Sequence, residues 1–385
     1  MEETKKIKFN RSELSGAFGD IGTDFPLIVA MIIAAKLHTP SVLIMFGILQ
    51  IATGLIYRMP MPVQPLKAMA TIVITQKIAG NILLGAGLAI GLVMFLLSLT
   101  GLLDKLTKIV PKTVIRGIQM GLGISLCMLS CKEYLPADKT LGYILAFIAF
   151  VLILFFIDNK KYPVAILVIL LGVLYAFVFK TDFQTIFNSV SINIPQFHLP
   201  TIDDVSKGFV LLALPQIPLS LGNSIMATKQ VSHDFFPERE ELSVKKIGLT
   251  YSFMNLIMPF FSGIPCCHGA GGMVGHYTFG GRTGGSVIMY GLFYIILGVF
   301  FGHSFENIIK VFPLPVLGVI LIFEGLSLIL LVRDIMGDRK NFVITVLVGI
   351  MAFGLPYGFA VSIIVGTLLY YLPLKIETLS KIGKV

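Results

Sequence analysis

Charge is missing from long stretches of this chain, and that absence limits its fold more than any motif does. Apolar runs bounded by charge, Pro or Gly fall near residues 14 to 35, 40 to 57, 62 to 76, 82 to 103, 112 to 130, 140 to 157, 162 to 179, 208 to 229, 246 to 262, 266 to 279, 285 to 302, 311 to 331, 341 to 354 and 357 to 372. A helix crossing the hydrocarbon core needs roughly 20 apolar residues. Most of these runs come near that length, whereas the third and tenth fall short. Only 13% of the 385 residues are charged and 56% are hydrophobic, against roughly a quarter charged in soluble domains. A water-soluble enzyme is thereby excluded, and an all-α polytopic membrane protein of fourteen segments is expected, with the bilayer as its solvent.

The 30 basic residues outnumber the 21 acidic ones, for a formal charge of +9. The surplus does not form a nucleic-acid surface. With a cytoplasmic N-terminus and one crossing per segment, 22 of the 30 basic residues fall on inner connections and tails, as the positive-inside rule requires. Both termini are therefore expected in the cytoplasm of a multi-pass protein of the cytoplasmic membrane. The start MEETKKIKFNRSE lacks a short apolar stretch with a cleavage site, so no removable signal peptide is expected. Cys127, Cys131, Cys266 and Cys267 lie in apolar settings that suit buried thiols better than a disulfide framework or metal cage.

The longest stretch between segments separates two sets of seven. Residues 12–179 are read as a first repeat, 180–207 as an extracellular linker with short strands or a surface helix, and 208–375 as a second repeat, all within one membrane transport domain spanning 1–385. Seven is odd, so the second set must run in the opposite sense across the membrane, the inverted-repeat plan of many secondary transporters. The short segments occupy matching places: RMPMPVQPLKAMA begins at Arg58 and FSGIPCCHGAGGM at Phe261. Pro disfavours helix just before itself, so each breaks at membrane depth, where broken backbone is tolerated only if buried in protein or lining a cavity. Two half-helices with N-termini facing inward present free N–H groups and positive dipole ends to one point, a site for an anion. Gly269, Ala270 and Gly271 after His268 suit close backbone approach, although such glycines also serve helix packing.

Several polar residues in apolar runs require a reason. Asp20 is either a proton carrier or a structural acceptor, and Asp24 one turn on is structural or interfacial. Gln64 can donate to a ligand oxygen, and Lys67 can either contact the ligand or neutralise a buried acid such as Asp20. Gln216, Ser220 and Asn223 form one helical stripe that lines a cavity or joins helices. His268 and the isolated acid Glu324 are further sites for a proton.

The stretches GAFGDIGTDFPL, PMPVQPLKAMA, LPQIPLSLGNS and GIPCCHGAGGMVGHYTFGGRTG closely resemble the molybdate transporter family of the sulfate permease superfamily. That resemblance implies a uracil-permease-like fold of seven plus seven inverted segments. Its core domain carries the broken segments, its gate domain is often the contact of a homodimer, and the core moves against the gate like an elevator. The substrate implied is molybdate, with tungstate or sulfate as related oxyanions. Because a dianion entering against an inside-negative potential needs a compensating charge, protons are the expected coupling ion, carried by Asp20, His268 or Glu324. The expected anion site is the backbone at Leu66, Lys67, Ala68, Gly269, Ala270 and Gly271 with Gln64, Gln216, Ser220, Asn223 and His268. No cofactor, metal or enzyme activity is implied. A sulfate or general oxyanion permease and an anion exchanger are the nearest alternatives.

Overall fold

A computed structural model of the chain describes residues 6–103, 111–156, 164–179, 192–237 and 242–372. A short entry helix, α1 (Arg11–Ala17), precedes α2 (Ile21–Ala35), α3 (Thr39–Tyr57), strand β1 (Val63–Pro65), α4 (Lys67–Gln76), α5 (Gly80–Thr100), α6 (Lys112–Leu129), α7 (Lys139–Phe156) and α8 (Val164–Phe179). The second half holds α9 (Ile202–Phe235), α10 (Val244–Ile257), strand β2 (Cys266–His268), α11 (Ala270–Thr278), α12 (Gly284–Val311), α13 (Leu314–Leu330), α14 (Arg339–Gly354) and α15 (Gly358–Tyr371). Among the described residues, seven of these helices are long and apolar enough to cross a membrane, counting the continuation of α6 to Tyr134 and of α13 to Ile335. From α2 onward the helices follow the fourteen expected segments, seven before the linker and seven after it.

The helices sort into two bundles. In the core, α3 packs along α12 and its counterpart in the second half, α10, packs along α5. In the gate, α6 packs against both α13 and α14, with α7, α8 and α15 around them. Small residues set the closest approach, as is usual where lipid offers no hydrophobic drive for helix association. A side-chain carbon added at Gly47 of α3 would lie 2.5 Å from the Gly291 carbonyl oxygen of α12, and one added at Gly54 would lie 2.8 Å from the Gly284 oxygen. On the opposite surface of the gate, Phe147 and Phe155 of α7 are exposed, as expected of a face turned to lipid.

Local chemistry alters three details of the sequence reading. The first segment is two helices, because Gly16 and Gly19 bring the backbone against Gly281 and Gly275. Within α1, Glu13 is buried and accepts from the N–H groups of Arg282, Thr283 and Ser286 at 2.9–3.0 Å. These are donors that the start of α12 cannot satisfy internally. Residues 180–191 of the linker lie outside the described residues. Of its described part, residues 192–201 form neither strand nor helix, and residues 202–207 are already helical. The first stretch crosses the helix ends in extended form, with Asn193 N–H donating to Val299 O, Gln196 N–H to Ser41 Oγ and His198 N–H to Phe260 O. The eighth segment begins earlier than expected, at Ile202, behind a Thr201–Asp204 capping box. Its 34 residues absorb Pro215 and Pro218 beside wider π turns at Phe209–Ala213 and Ser220–Met226, a usual accommodation of prolines within a helix.

Replacing Gly47 with Leu should overpack the α3–α12 contact at a cost of about 1–3 kcal/mol. The expected result is a lower unfolding temperature in detergent, measured against Gly271→Ala, a site where a built Cβ meets nothing within 4 Å.

Candidate functional site

The two short segments meet. β1 and β2 pair antiparallel with Val63 opposite His268, Gln64 opposite Cys267 and Pro65 opposite Cys266. The pair is extended at both ends, where Leu66 N–H donates to Pro265 O and Gly269 N–H to Pro62 O. Each outer edge would leave backbone groups unpaired at membrane depth, and a side-chain amide covers each. Gln50 of α3 donates to Val63 O at 2.7 Å and accepts from Val63 N–H at 2.9 Å. Asn255 of α10 does the same for Cys266, at 2.6 and 3.0 Å. Both amides are fully buried. A two-fold pattern thus relates the halves down to single hydrogen bonds.

Immediately after each strand a helix begins, α4 at Lys67 and α11 at Ala270, and the two N-termini face a cavity of about 370 Å³ between core and gate. Its lining includes Gln64, Lys67, Gln216, His268, Gly269, Ala270 and Gly271 from the sequence-derived set, together with Arg116, Ser224, Cys267 and Ser327. The two helix starts differ. At α4, the Gln216 Oε1 accepts from Ala68 N–H (2.9 Å) and Met69 N–H (3.3 Å), while its Nε2 donates to Ser220 Oγ, which pairs with Tyr251 OH. Ser220 therefore stands behind Gln216 and holds it. At α11 the first turn remains open, since a Cβ built at Gly271 meets nothing within 4 Å.

The titratable candidates have distinct surroundings. Asp20 accepts a 2.7 Å hydrogen bond from Gln64 Nε2 and lies against Gly272 in the first turn of α11. It joins α2 to both broken segments. Asp24 is buried one turn further along α2. The His268 ring is wedged edge-on against Tyr57, and its Nε2 lies 2.7 Å from Thr250 Oγ1. Lys67 Nζ lies 3.6 Å from Glu324 Oε2 across the boundary between core and gate. The Asn223 side chain lies outside the described residues. Among the described residues, no group of three His, Cys, Asp or Glu side chains is arranged to hold a metal ion.

Sequence reasoning missed Arg116, Gln50 and Asn255. Arg116 entered only as a topological charge, yet it lines the cavity from the gate, its guanidinium gripping Asp334 at 2.6–3.2 Å and donating to Gln119 at 2.9 Å. A cation one turn inside a membrane segment was the available signal. Arg116 and Lys67 thus bring two cations to the cavity, each paired with a gate carboxylate, Asp334 and Glu324.

Comparison with known proteins agrees with this geometry. The family model described as a molybdate transporter of the MFS superfamily matches residues 12–126 and 208–328. The chain is 32% identical to Molybdate transporter 2 of Arabidopsis thaliana, over 96% of this chain and 88% of that protein. It is 23% identical to Molybdate transporter 1 of Chlamydomonas reinhardtii, over 89% and 88% of the two chains. Among solved structures, the transmembrane domain of the cyanobacterium bicarbonate transporter BicA superposes with a TM-score of 0.67 at 18% identity, covering 95% of this chain and 99% of that one. Murine Solute Carrier 26 family member A9, an anion transporter captured in the inward-facing state, superposes with a TM-score of 0.70 at 11% identity, covering 96% and 69%. The fold is accordingly the seven-plus-seven inverted-repeat arrangement of core and gate.

Gln216→Glu would put a carboxylate on the first N–H groups of α4 beside the cavity. Repulsion in this sheltered setting should weaken oxyanion binding by about tenfold or more, measured by titration calorimetry against the unsubstituted protein.

Proposed function

Because the chain belongs to the molybdate transporter family of the sulfate permease superfamily, we propose that this secondary transporter moves molybdate into the cell together with protons, by displacement of the core against the gate. The observation that carries this reading is the convergence of two half-helix N-termini, one from each half, on a cavity that also receives Lys67 and Arg116. Helix starts offer preorganised N–H donors and positive potential, which suit a tetrahedral oxyanion. In this reading the anion lies against Gly269, Ala270 and Gly271, with Leu66, Lys67 and Ala68 opposite. Gln64, Gln216 and His268 orient the site, and Ser220 and Asn223 support it. No bond in the substrate is made or broken.

A dianion entering against an inside-negative potential costs roughly 2.3 kcal/mol per charge per 100 mV. Co-moving protons offset that cost, with Asp20, His268 and Glu324 as the groups to hold them. The repeats are taken as 12–179 and 208–375 around the extracellular linker 180–207, with both termini in the cytoplasm of a cytoplasmic-membrane protein and the gate as the contact of a homodimer. A sulfate or broader oxyanion permease, or an anion exchanger, is the second reading. Its support is that the donors at the open α11 start are backbone N–H groups, which do not distinguish the central atom of the ion.

Binding to the purified protein separates these readings. Molybdate is expected to bind in the presence of excess sulfate and to be displaced by tungstate. Gln64→Ala, which removes the hydrogen bond to the Asp20 carboxylate beside the site, should weaken binding about tenfold or more, and His268→Ala should weaken it by loosening β2. Equal competition by sulfate would favour the broader permease, and no oxyanion binding would reject transport of this ion class.

A further inference from the structure

An ion pair joins core to gate at the edge of the cavity, as Lys77 and Glu133 do at the far end of α4. Lys67 stands on the first turn of α4 and opens on the cavity, and its Nζ lies 3.6 Å from Oε2 of Glu324 on gate helix α13. Glu324 is buried, and Ser327 and Leu328, within the next turn of the same helix, line the cavity. Sliding the core along the gate pulls the pair apart. A buried charge that loses its partner is strongly unfavourable, so Glu324 then has to be neutralised or paired again, whereas Lys67 stays open to the cavity.

The surroundings limit the choices. Asp20 at the start of α2 and Asp24 within it are the other acids acting on Lys67, and Cys267 faces it from β2. Next to Glu324, Gly325 packs on the Cys127 thiol of α6, while Lys139, Tyr143 and Tyr175 are the titratable residues that α7 and α8 carry. Three carboxyl groups thus act on Lys67, while the cations of gate helix α6, Lys112 and Arg116, are held by Asp334. A dianion placed against Lys67 meets added repulsion from Glu324 unless that carboxylate is neutral.

We propose that Glu324 holds the coupling proton and that Lys67 is the charge that expels it, a reading that rests on the anion transport proposed above. When the anion is bound, it serves as the counter-charge of Lys67 and Glu324 carries a proton taken from the external water. When the anion leaves toward the cytoplasm, Lys67 takes the Glu324 carboxylate as its counter-charge and the proton passes to the internal water. As the core returns, Glu324 takes up the next proton from the external water while the pair parts, so that no bare carboxylate is left buried on the gate. Anion and proton are thus linked because both change the partner of one lysine.

The test uses the full chain in detergent, in weakly buffered solution with a pH-sensitive dye, and in proteoliposomes with an imposed pH gradient and clamped potential. The unsubstituted protein is expected to take up about one proton per molybdate bound, as linkage between the two sites requires. E324Q is expected to take up none and to lose accumulation driven by the pH gradient. K67Q, which leaves Glu324 without its expelling charge, should also take up none and should bind molybdate about tenfold more weakly. If E324Q does not fold, E324D serves in its place and should keep proton uptake. Proton uptake that persists in E324Q or K67Q overturns the assignment. Molybdate binding without proton uptake in the unsubstituted protein overturns proton coupling while leaving the anion site intact. Absence of molybdate binding in the unsubstituted protein instead removes the functional reading beneath both.

Discussion

Backbone that is not helical has to find hydrogen-bond partners inside the protein if it lies at the depth of a lipid bilayer, because each unpaired group there costs several kcal/mol. The architecture follows from how that demand is met. The two broken segments use each other as the inner partner through β1 and β2. The outer partners are the Gln50 and Asn255 side chains on counterpart helices α3 and α10. Once these bonds are closed, α4 and α11 have fixed starting points that face one another. The core side of the cavity takes its position from this small sheet, and the gate helices close the other side.

Symmetry in the backbone is broken by side chains, and the difference has chemical content. The start of α4 is occupied by Gln216, itself held by Ser220 and Tyr251, whereas the start of α11 is bare glycine and alanine. A side-chain carbonyl is a weak imitation of an oxyanion. It satisfies the α4 donors without adding charge, so one half of the site is built in advance and the other is left for a ligand. On the gate side, Asp334 holds the Arg116 guanidinium in a fixed orientation. Such preorganisation reduces the ordering that recognition otherwise requires.

Much of this was legible in the sequence, for identifiable reasons. Pro62, Pro65 and Pro265 mark the breaks because proline restricts its own backbone and that of its predecessor, and the surplus of Lys and Arg on alternate connections set the expected orientation. The meeting of Gln64, Lys67 and Gly269 to Gly271 at one cavity followed from the symmetry of those breaks, and Gln216 was marked by the polar stripe it forms in the eighth segment. Gln50 and Asn255 were not legible, because a single amide in an apolar helix looks the same whether it clamps a strand or joins two helices. Glu13 was hidden in a polar entry segment, where nothing marks it as the partner of residues more than half the chain away. For Lys67 the sequence left two roles open, and the ion pair with Glu324 adds a gate acid that spacing along the chain could not bring near.

The strand pair also bears on how the protein is made. A ribosome delivers β1 and α4 long before β2, and domains synthesised first usually fold first. Here the inner edge of β1 has its partner only in the second half, and Asn255, which will clamp that partner, also lies there. The first seven helices therefore enter the membrane with an unfinished backbone at their centre, which water, lipid headgroups or the insertion machinery must shelter. Completion comes when the later strand arrives, so the first half cannot close its own backbone before the second is made.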